Sequence, residues 1–315
     1  MTTKSSPNSK RLALIAGPTA SGKSAVALEL AKARADQSGE TWIINADSMQ
    51  VYKDIPILSA APNEDEQAQT PHRLFGAWEG AQACSAADWA SRAKVEIEAA
   101  HAAGALPVLV GGTGMYMKVL LEGIAPIPEI DPEVRAVVRA LPTQAAHAAL
   151  MIEDPERAAQ LDSGDTQRIT RALEVKRSTG TTLGDWQQAK TGGIGDEVDL
   201  HGVVMLPERE WLYQRCDKRF EAMLQSGAIA EVEALLERGL STDLPVMRAI
   251  GVPEIAAFLA DEVSREAMIE AGTQSTRNYA KRQFTWFRNQ SPADWQHIES
   301  QNVDIKSIFA SLLQL

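Results

Sequence analysis

Residues Gly17-Pro18-Thr19-Ala20-Ser21-Gly22-Lys23-Ser24 fit the pattern G-x-x-x-x-G-K-[ST] in full. This is a strong constraint on the fold, because the motif works only where a strand runs into a helix. There its glycines let backbone N–H groups turn onto an anion, and the helix N-terminus adds its positive end. Both flanks are present: Leu12 to Ala16 is an apolar run, and after Ser24 the helix formers carry Val26 and Leu30 four apart. A chance glycine-rich turn would lack that setting. Gly17, Thr19, Ala20, Ser21, Gly22, Lys23 and Ser24 are therefore candidate diphosphate-binding residues. Lys23 supplies a point charge to phosphate oxygens, and the Ser24 hydroxyl is the candidate ligand for Mg²⁺. Nucleotide-binding and ATP-binding proteins share this pattern, and it does not say which diphosphate-bearing molecule binds.

Thr41 to Asn45 reads as a second strand, ending at Ala46-Asp47-Ser48. Leu106 to Val110 reads as a third, ending at Gly111-Gly112-Thr113-Gly114. Between them the alanine-rich stretch Ala86 to Ala103 is a helix closed by Gly104. Apolar strands alternating with helices predict an α/β fold with a parallel sheet covered on both faces. The texture changes after Gly123: from Pro132 to about Trp186 the pattern is helical and polar, with Gly192, Gly193 and Gly195 at its exit. Val203 to Leu206 looks like a returning core strand, and from Glu208 the chain reads as helical almost to its end. The expected organisation is a flexible tail over 1–10, a core domain from 11–126 and 199–315, and a helical insertion domain over 127–198.

Asp47 ends its strand at the edge where a doubly wound sheet meets its ligand. It can act there as a general base or hold Mg²⁺, or it can be a simple turn or cap aspartate. Thr113 offers a hydroxyl at the next strand end. No aspartate ends the Leu106–Val110 strand, so nothing obvious positions a water on a γ-phosphate. Basic side chains recur at helical spacing: Arg168 and Arg171 with Lys176-Arg177, then Arg277, Lys281, Arg282 and Arg288, interleaved with Tyr279, Phe284, Trp286 and Phe287. Such a set can face a phosphate backbone and stack bases, or it can be a solvated face with its aromatics in the core. The net charge of −11 means that any nucleic-acid contact is local, not a global field. Two cysteines, Cys84 and Cys216, exclude a disulfide framework and a multi-cysteine zinc site. No apolar stretch approaches the ~20 residues of a membrane span. A cytoplasmic protein, read as a monomer, is the expectation.

The segments GPTASGKS, NADSMQVYK, PHRL, LPVLVGGTGMYMKVLLEG, DTQRITRALEV and TRNYAKRQFTWFRN follow in that order between about Arg11 and Trp295. Together they resemble the bacterial tRNA dimethylallyltransferases, the IPP transferase family. The resemblance implies a P-loop NTPase-like core whose P-loop holds the diphosphate of dimethylallyl diphosphate. The acceptor it implies is N6 of the adenosine at position 37 in a tRNA anticodon stem-loop, flipped from its stack. It further implies Asp47 as general base, Thr113 as a holder of the departing diphosphate, and Arg219 as a second diphosphate-binding group. The tRNA contacts it implies are Asp47, Ser48, Met49 and Gln50, then Arg135, then Gln167, Arg168, Ile169, Thr170 and Arg171, and Arg248. Arg277, Lys281 and Arg282 are added from their own spacing. The chain departs from the family pattern at Ile57-Leu58-Ser59-Ala60-Ala61-Pro62, where I-G-T-A-K-P is frequent, and at Gly251-Val252-Pro253, where Gly-Tyr is usual. Three other readings fit parts of the pattern: an adenylate isopentenyltransferase acting on free AMP or ADP, a small-molecule P-loop kinase, and a non-catalytic RNA-binding protein.

Overall fold

The structure, a computed structural model, describes residues 10–313; residues 1–9, nearly all of the tail expected over 1–10, lie outside it, as do 314 and 315. Strands β1 (Arg11–Ala16), β2 (Thr41–Asn45), β3 (His72–Arg73), β4 (Leu106–Gly111), β5 (Asp199–Met205) and β6 (Gln296–Ile298) form one sheet. Its order is β3-β2-β4-β1-β5-β6, and every neighbouring pair is parallel. Helices α1 (Lys23–Ala35), α2 (Pro56–Ser59), α3 (Glu64–Gln69), α4 (Ala86–Ala102) and α5 (Gly114–Glu122) belong to the first half of the chain. Next come α6 (Pro132–Arg139), α7 (Thr143–Glu153), α8 (Pro155–Gln160), α9 (Thr166–Thr179) and α10 (Leu183–Gln188). The last are α11 (Arg209–Gln225), α12 (Ala228–Glu237), α13 (Val252–Leu259), α14 (Arg265–Gln290), α15 (Ile305–Ile308) and α16 (Ala310–Leu313).

The strands bury both faces because alternate residues serve two cores. Leu12, Leu14, Ile44, Leu109 and Val204 pack with Trp89, Phe287 and Trp295 on one side. Ala13, Ile15, Ile43, Val108, Val110 and Val203 pack with Val26, Leu30 and Phe309 on the other. Full burial of each such branched side chain contributes about 1.5–3 kcal/mol. Helix starts follow local chemistry. Ser85 and Asp88 form a capping box on α4, and Ser264 caps α14 by accepting from Ala267 N. The expectation of helix throughout the C-terminal part is corrected at β6, which adds to the sheet edge with Val203 opposite Gln296. The returning strand also starts earlier than expected, at Asp199 opposite Arg11.

The chain divides into two compact units, residues 10–121 with 194–313, and Glu122–Gly193. The second lies a few residues before the 127–198 expected. An antiparallel bridge, Ile124 to Thr191, draws its two ends together, and Asp196 to Val198 already lead into β5. Its core is Ile130, Val138, Leu150, Ile169, Leu173 and Leu183. The buried Glu174 accepts from Arg139 Nε at 2.8 Å, and Arg177 pairs with Glu153 at 2.7 Å.

Candidate active site

The C-terminal ends of β1, β2 and β4 open side by side, the crevice where an open parallel sheet presents ligands to helix N-termini. A cavity of about 260 Å³ lies there. It is lined by Thr19, Lys23 and Ser24 of the P-loop, by Asp47, Ser48, Met49 and Gln50 after β2, and by Arg219, Arg248 and Arg282 from the C-terminal helices. Thus many of the residues singled out from sequence meet in one place, although they come from segments scattered over most of the chain.

The P-loop is held from several sides. Arg215 Nε on α11 donates to Ala20 O at 2.9 Å, and Gln283 Oε1 on α14 accepts from Thr19 N at 2.7 Å. Ala20 is held at φ 62°, the left-handed region that a side chain rarely adopts. Lys23 Nζ donates to Pro18 O at 2.6 Å. Burial lowers its pKa to about 8; the negative Asp47 offsets part of that and the positive Arg219 adds to it. Burial likewise pulls the Arg219 guanidinium down from its ordinary value, against the pull of Asp47. Lys23, Arg219 and Asp47 thus form one charge cluster, two cations and one anion, in a partly desolvated pocket.

Asp47 is a turn aspartate that also faces the cavity. Its Oδ1 accepts from Met49 N at 2.9 Å, a turn aspartate, and its backbone N–H is held by Asn45 Oδ1 at 2.8 Å. It also lines the cavity. Thr113 Oγ1 accepts from Ser48 N at 2.9 Å, which locks the β4 turn to the segment after β2. Sequence reasoning left Tyr279 as an undifferentiated aromatic. Its hydroxyl lies within hydrogen-bonding reach of Thr113 and Ser48, and burial, with Asp47 adding to it, pushes that hydroxyl above the usual phenol range.

The same cavity is also lined by apolar Ile55, Leu58, Phe220 and Met223, none of them read as site residues from sequence, and Arg219 reaches this part by donating to Ser59 O at 3.4 Å. Leu58 and Ser59 are where the chain departs from the family pattern. Helix α2, which carries them, is fixed by Glu231, whose carboxylate accepts from Ile57 N at 2.7 Å and Leu58 N at 2.9 Å. Gln50 spends its amide hydrogens on Ser59 O and Ala60 O, at 3.1 and 2.7 Å. Gln50 therefore braces α2 and leaves its carbonyl oxygen to accept from a donor.

Other candidates lie elsewhere. Arg277 forks onto Asp217 on the neighbouring helix α11, with Nε to Oδ1 at 2.7 Å. Lys281 is exposed and outside the cavity lining, whereas its neighbour Arg282, also exposed, lines the cavity. Phe287 is fully buried and Trp286 packs over Gly114, so these two aromatics belong to the core. In the Glu122–Gly193 unit, Gln167, Arg168 and Arg171 are exposed on α9, Arg168 pairing with Asp165 at 3.1 Å, while Thr170 and Arg135 are half-buried. Ile169 is corrected: it has no exposed surface and packs inside that unit, so it cannot touch RNA. The helical repeat Ile169, Ala172, Leu173 was the signal that could have told it from its neighbours.

Among the described residues no helix is long and apolar enough to cross a membrane, and no group of three or more His, Cys, Asp or Glu side chains is arranged to hold a metal ion. The family model for IPP transferase matches residues 50–290. A tRNA dimethylallyltransferase of Erythrobacter litoralis is 59% identical over 303 residues, covering 96% of this chain and 96% of its own. One of Novosphingobium aromaticivorans is 60% identical, covering 89% and 100%. Among solved structures, the full-length tRNA isopentenylpyrophosphate transferase of Bacillus halodurans superposes with a TM-score of 0.67 at 32% identity, over 96% of this chain and 94% of its own. A eukaryotic dimethylallyltransferase acting on tRNA gives 0.75 at 28% identity, over 89% and 70%.

Proposed function

The chain belongs to the IPP transferase family, and from that premise we propose that it moves a dimethylallyl group from dimethylallyl diphosphate to N6 of the adenosine at tRNA position 37, releasing diphosphate. The observation that carries this reading is the cavity itself, whose lining combines Lys23, Arg219 and Asp47 with Ile55, Leu58, Phe220 and Met223. A diphosphate ester of a short branched hydrocarbon combines charge and apolar surface in the same way.

The allylic C–O bond breaks as the C–N bond forms, and the electron pair leaves with the diphosphate. Lys23 and Arg219 hold their charge where that anion grows, and the P-loop amides and Thr113 add donors. The adenine amine is a weak nucleophile and loses a proton as it bonds; Asp47 is the carboxylate in reach of the cavity to accept it. The adenine enters by leaving its stack. The Ser24 hydroxyl is a hard oxygen donor that fits Mg²⁺, with the remaining ligands drawn from diphosphate and water. Bound there, Mg²⁺ would neutralise charge on the leaving group. Arg248 and Arg282 at the cavity, the exposed Lys281, and Arg135, Gln167, Arg168, Thr170 and Arg171 in the helical unit are the side chains offered to the anticodon stem-loop. A cytoplasmic site of action and a monomeric enzyme complete the reading.

The test is transfer of label from dimethylallyl diphosphate, with Mg²⁺, to unmodified tRNA or to free AMP. Label on tRNA adenosine, lost in Asp47→Ala, is expected. Label on AMP alone, or tight ATP binding with no transfer, would overturn it.

A further inference from the structure

Helix α14 buries one polar side chain against the site, Gln283, and both ends of its amide are used on ligand-binding loops. Its Oε1 accepts from Thr19 N in the P-loop at 2.7 Å, and its Nε2 donates to Gly112 O in the β4 turn at 2.8 Å. The β1–β4 ladder ends at Ala16 opposite Gly111. Beyond that pair the ladder stops, and the amide joins the two loops. The fit is close: a Cβ on Gly112 would lie 2.3 Å from Gln283 Nε2. Tyr279, one turn earlier on the same helix face, reaches Thr113 and Ser48. One face of α14 therefore touches the P-loop, the β4 turn and the segment after β2.

We propose that Gln283 is a positioning residue that sets the P-loop against the β4 turn in the spacing a diphosphate requires. By accepting from the Thr19 N–H, Gln283 pins the P-loop backbone at that residue in one orientation. By donating to Gly112 O, it occupies that carbonyl, a dipole that would repel phosphate if it faced the ligand. A buried amide with both ends satisfied is rigid, and removing it leaves a donor and an acceptor unpaired on two separate loops. The loss would therefore be felt at the ligand.

This rests on the diphosphate reading of the P-loop, so the experiment separates the two. Binding of inorganic diphosphate with Mg²⁺ is titrated by calorimetry for the wild-type chain, Gln283→Met and Gln283→Glu, alongside thermal unfolding and KM for donor and for tRNA. Met keeps the shape and removes both hydrogen bonds. Glu keeps the acceptor for Thr19 N and sets a second oxygen against Gly112 O. Diphosphate affinity is expected to fall about tenfold in Met, the order of one well-placed hydrogen bond, and at least as far in Glu. Donor KM should rise with it while KM for tRNA stays within twofold. Wild-type protein that does not bind diphosphate would sink the functional reading. Wild-type binding with unchanged affinity in a folded Met or Glu variant, even at a lowered unfolding temperature, would make Gln283 a packing residue and overturn the inference.

Discussion

The lowered pKa of Lys23 makes donor binding a proton-linked event. In the ligand-free protein, burial holds its pKa at about 8, against 10.5 for an ordinary lysine. A bound diphosphate supplies the negative charge that burial lacks, so in the complex the ammonium form is restored. Below pH 8 Lys23 is charged in both states and affinity is flat. Above pH 8 the free protein loses the proton that the complex keeps, and Kd rises tenfold per pH unit. If the complex recovers the full difference, the total weakening by pH 10.5 is about 300-fold. The sign for folding is the reverse: the unfolded chain holds more protons between pH 8 and 10.5, so the ligand-free protein gains stability as pH rises through that window. Neighbouring groups leave the window clear, because burial pushes Cys216 up to about 11 and Tyr279 above the phenol range. The assay is calorimetry with a non-reactive thiolo analogue of dimethylallyl diphosphate, whose own ionisation is complete below pH 8, run in two buffers to count protons taken up. Lys23→Arg, charged throughout, should bind with a flat profile. A flat wild-type profile from pH 7 to 10, or the same slope in Lys23→Arg, would refute the reasoning.

Further outcomes follow from packing and geometry. A Cβ at Gly111 would lie 2.0 Å from Ala46 O, a backbone atom that cannot swing aside. Gly111→Ala should therefore cost about 3 kcal/mol in urea unfolding and displace Asp47 as well; a loss below 1 kcal/mol would speak against so tight a strand end. Ile169→Ala should lower the stability of the helical unit by about 2–5 kcal/mol, whereas a residue reading RNA would weaken tRNA binding with no change in unfolding. Tyr279→Phe should reduce kcat about tenfold through the lost hydroxyl on Thr113 while diphosphate affinity holds; an unchanged kcat would remove Tyr279 from the chemistry.

Where sequence and structure agree, the reason is physical. Strands β1, β2 and β4 stand out because they are buried on both faces and read as unbroken apolar runs ended by Gly or by a polar turn. Strands β3 and β6 did not, since His72–Arg73 and Gln296–Ile298 are short edge strands with polar residues, and their pairing is decided by the sheet they join. The strand-end turns that carry the P-loop, Asp47 and Thr113 are legible because their glycines and polar residues follow apolar runs directly. Gln283 and the apolar lining of the cavity are not. Gln283 meets Thr19 across 264 residues, and no local periodicity distinguishes a glutamine that faces a loop from one that faces water. Ile169 was misassigned for the opposite reason: a contiguous motif was carried over whole, although a helix turns each successive side chain by about 100°.

The sheet order has a consequence for biosynthesis. β1 is made first but obtains its second neighbour late, since β5 pairs with it from Asp199 onward and all of Glu122–Gly193 must be translated in between. Until then one edge of β1 carries unpaired N–H and C=O groups, an invitation to other nascent chains. The intervening helices pack mainly on one another, α7 on α8 and α9 and α6 on α9, and so can collapse as they emerge. The added loop-closure entropy grows only with the logarithm of length, about 0.6 kcal/mol per doubling. The insertion therefore burdens the finished protein little, and its cost falls on the interval before β5 leaves the ribosome, when a chain stopped short of Met205 would expose that edge without remedy.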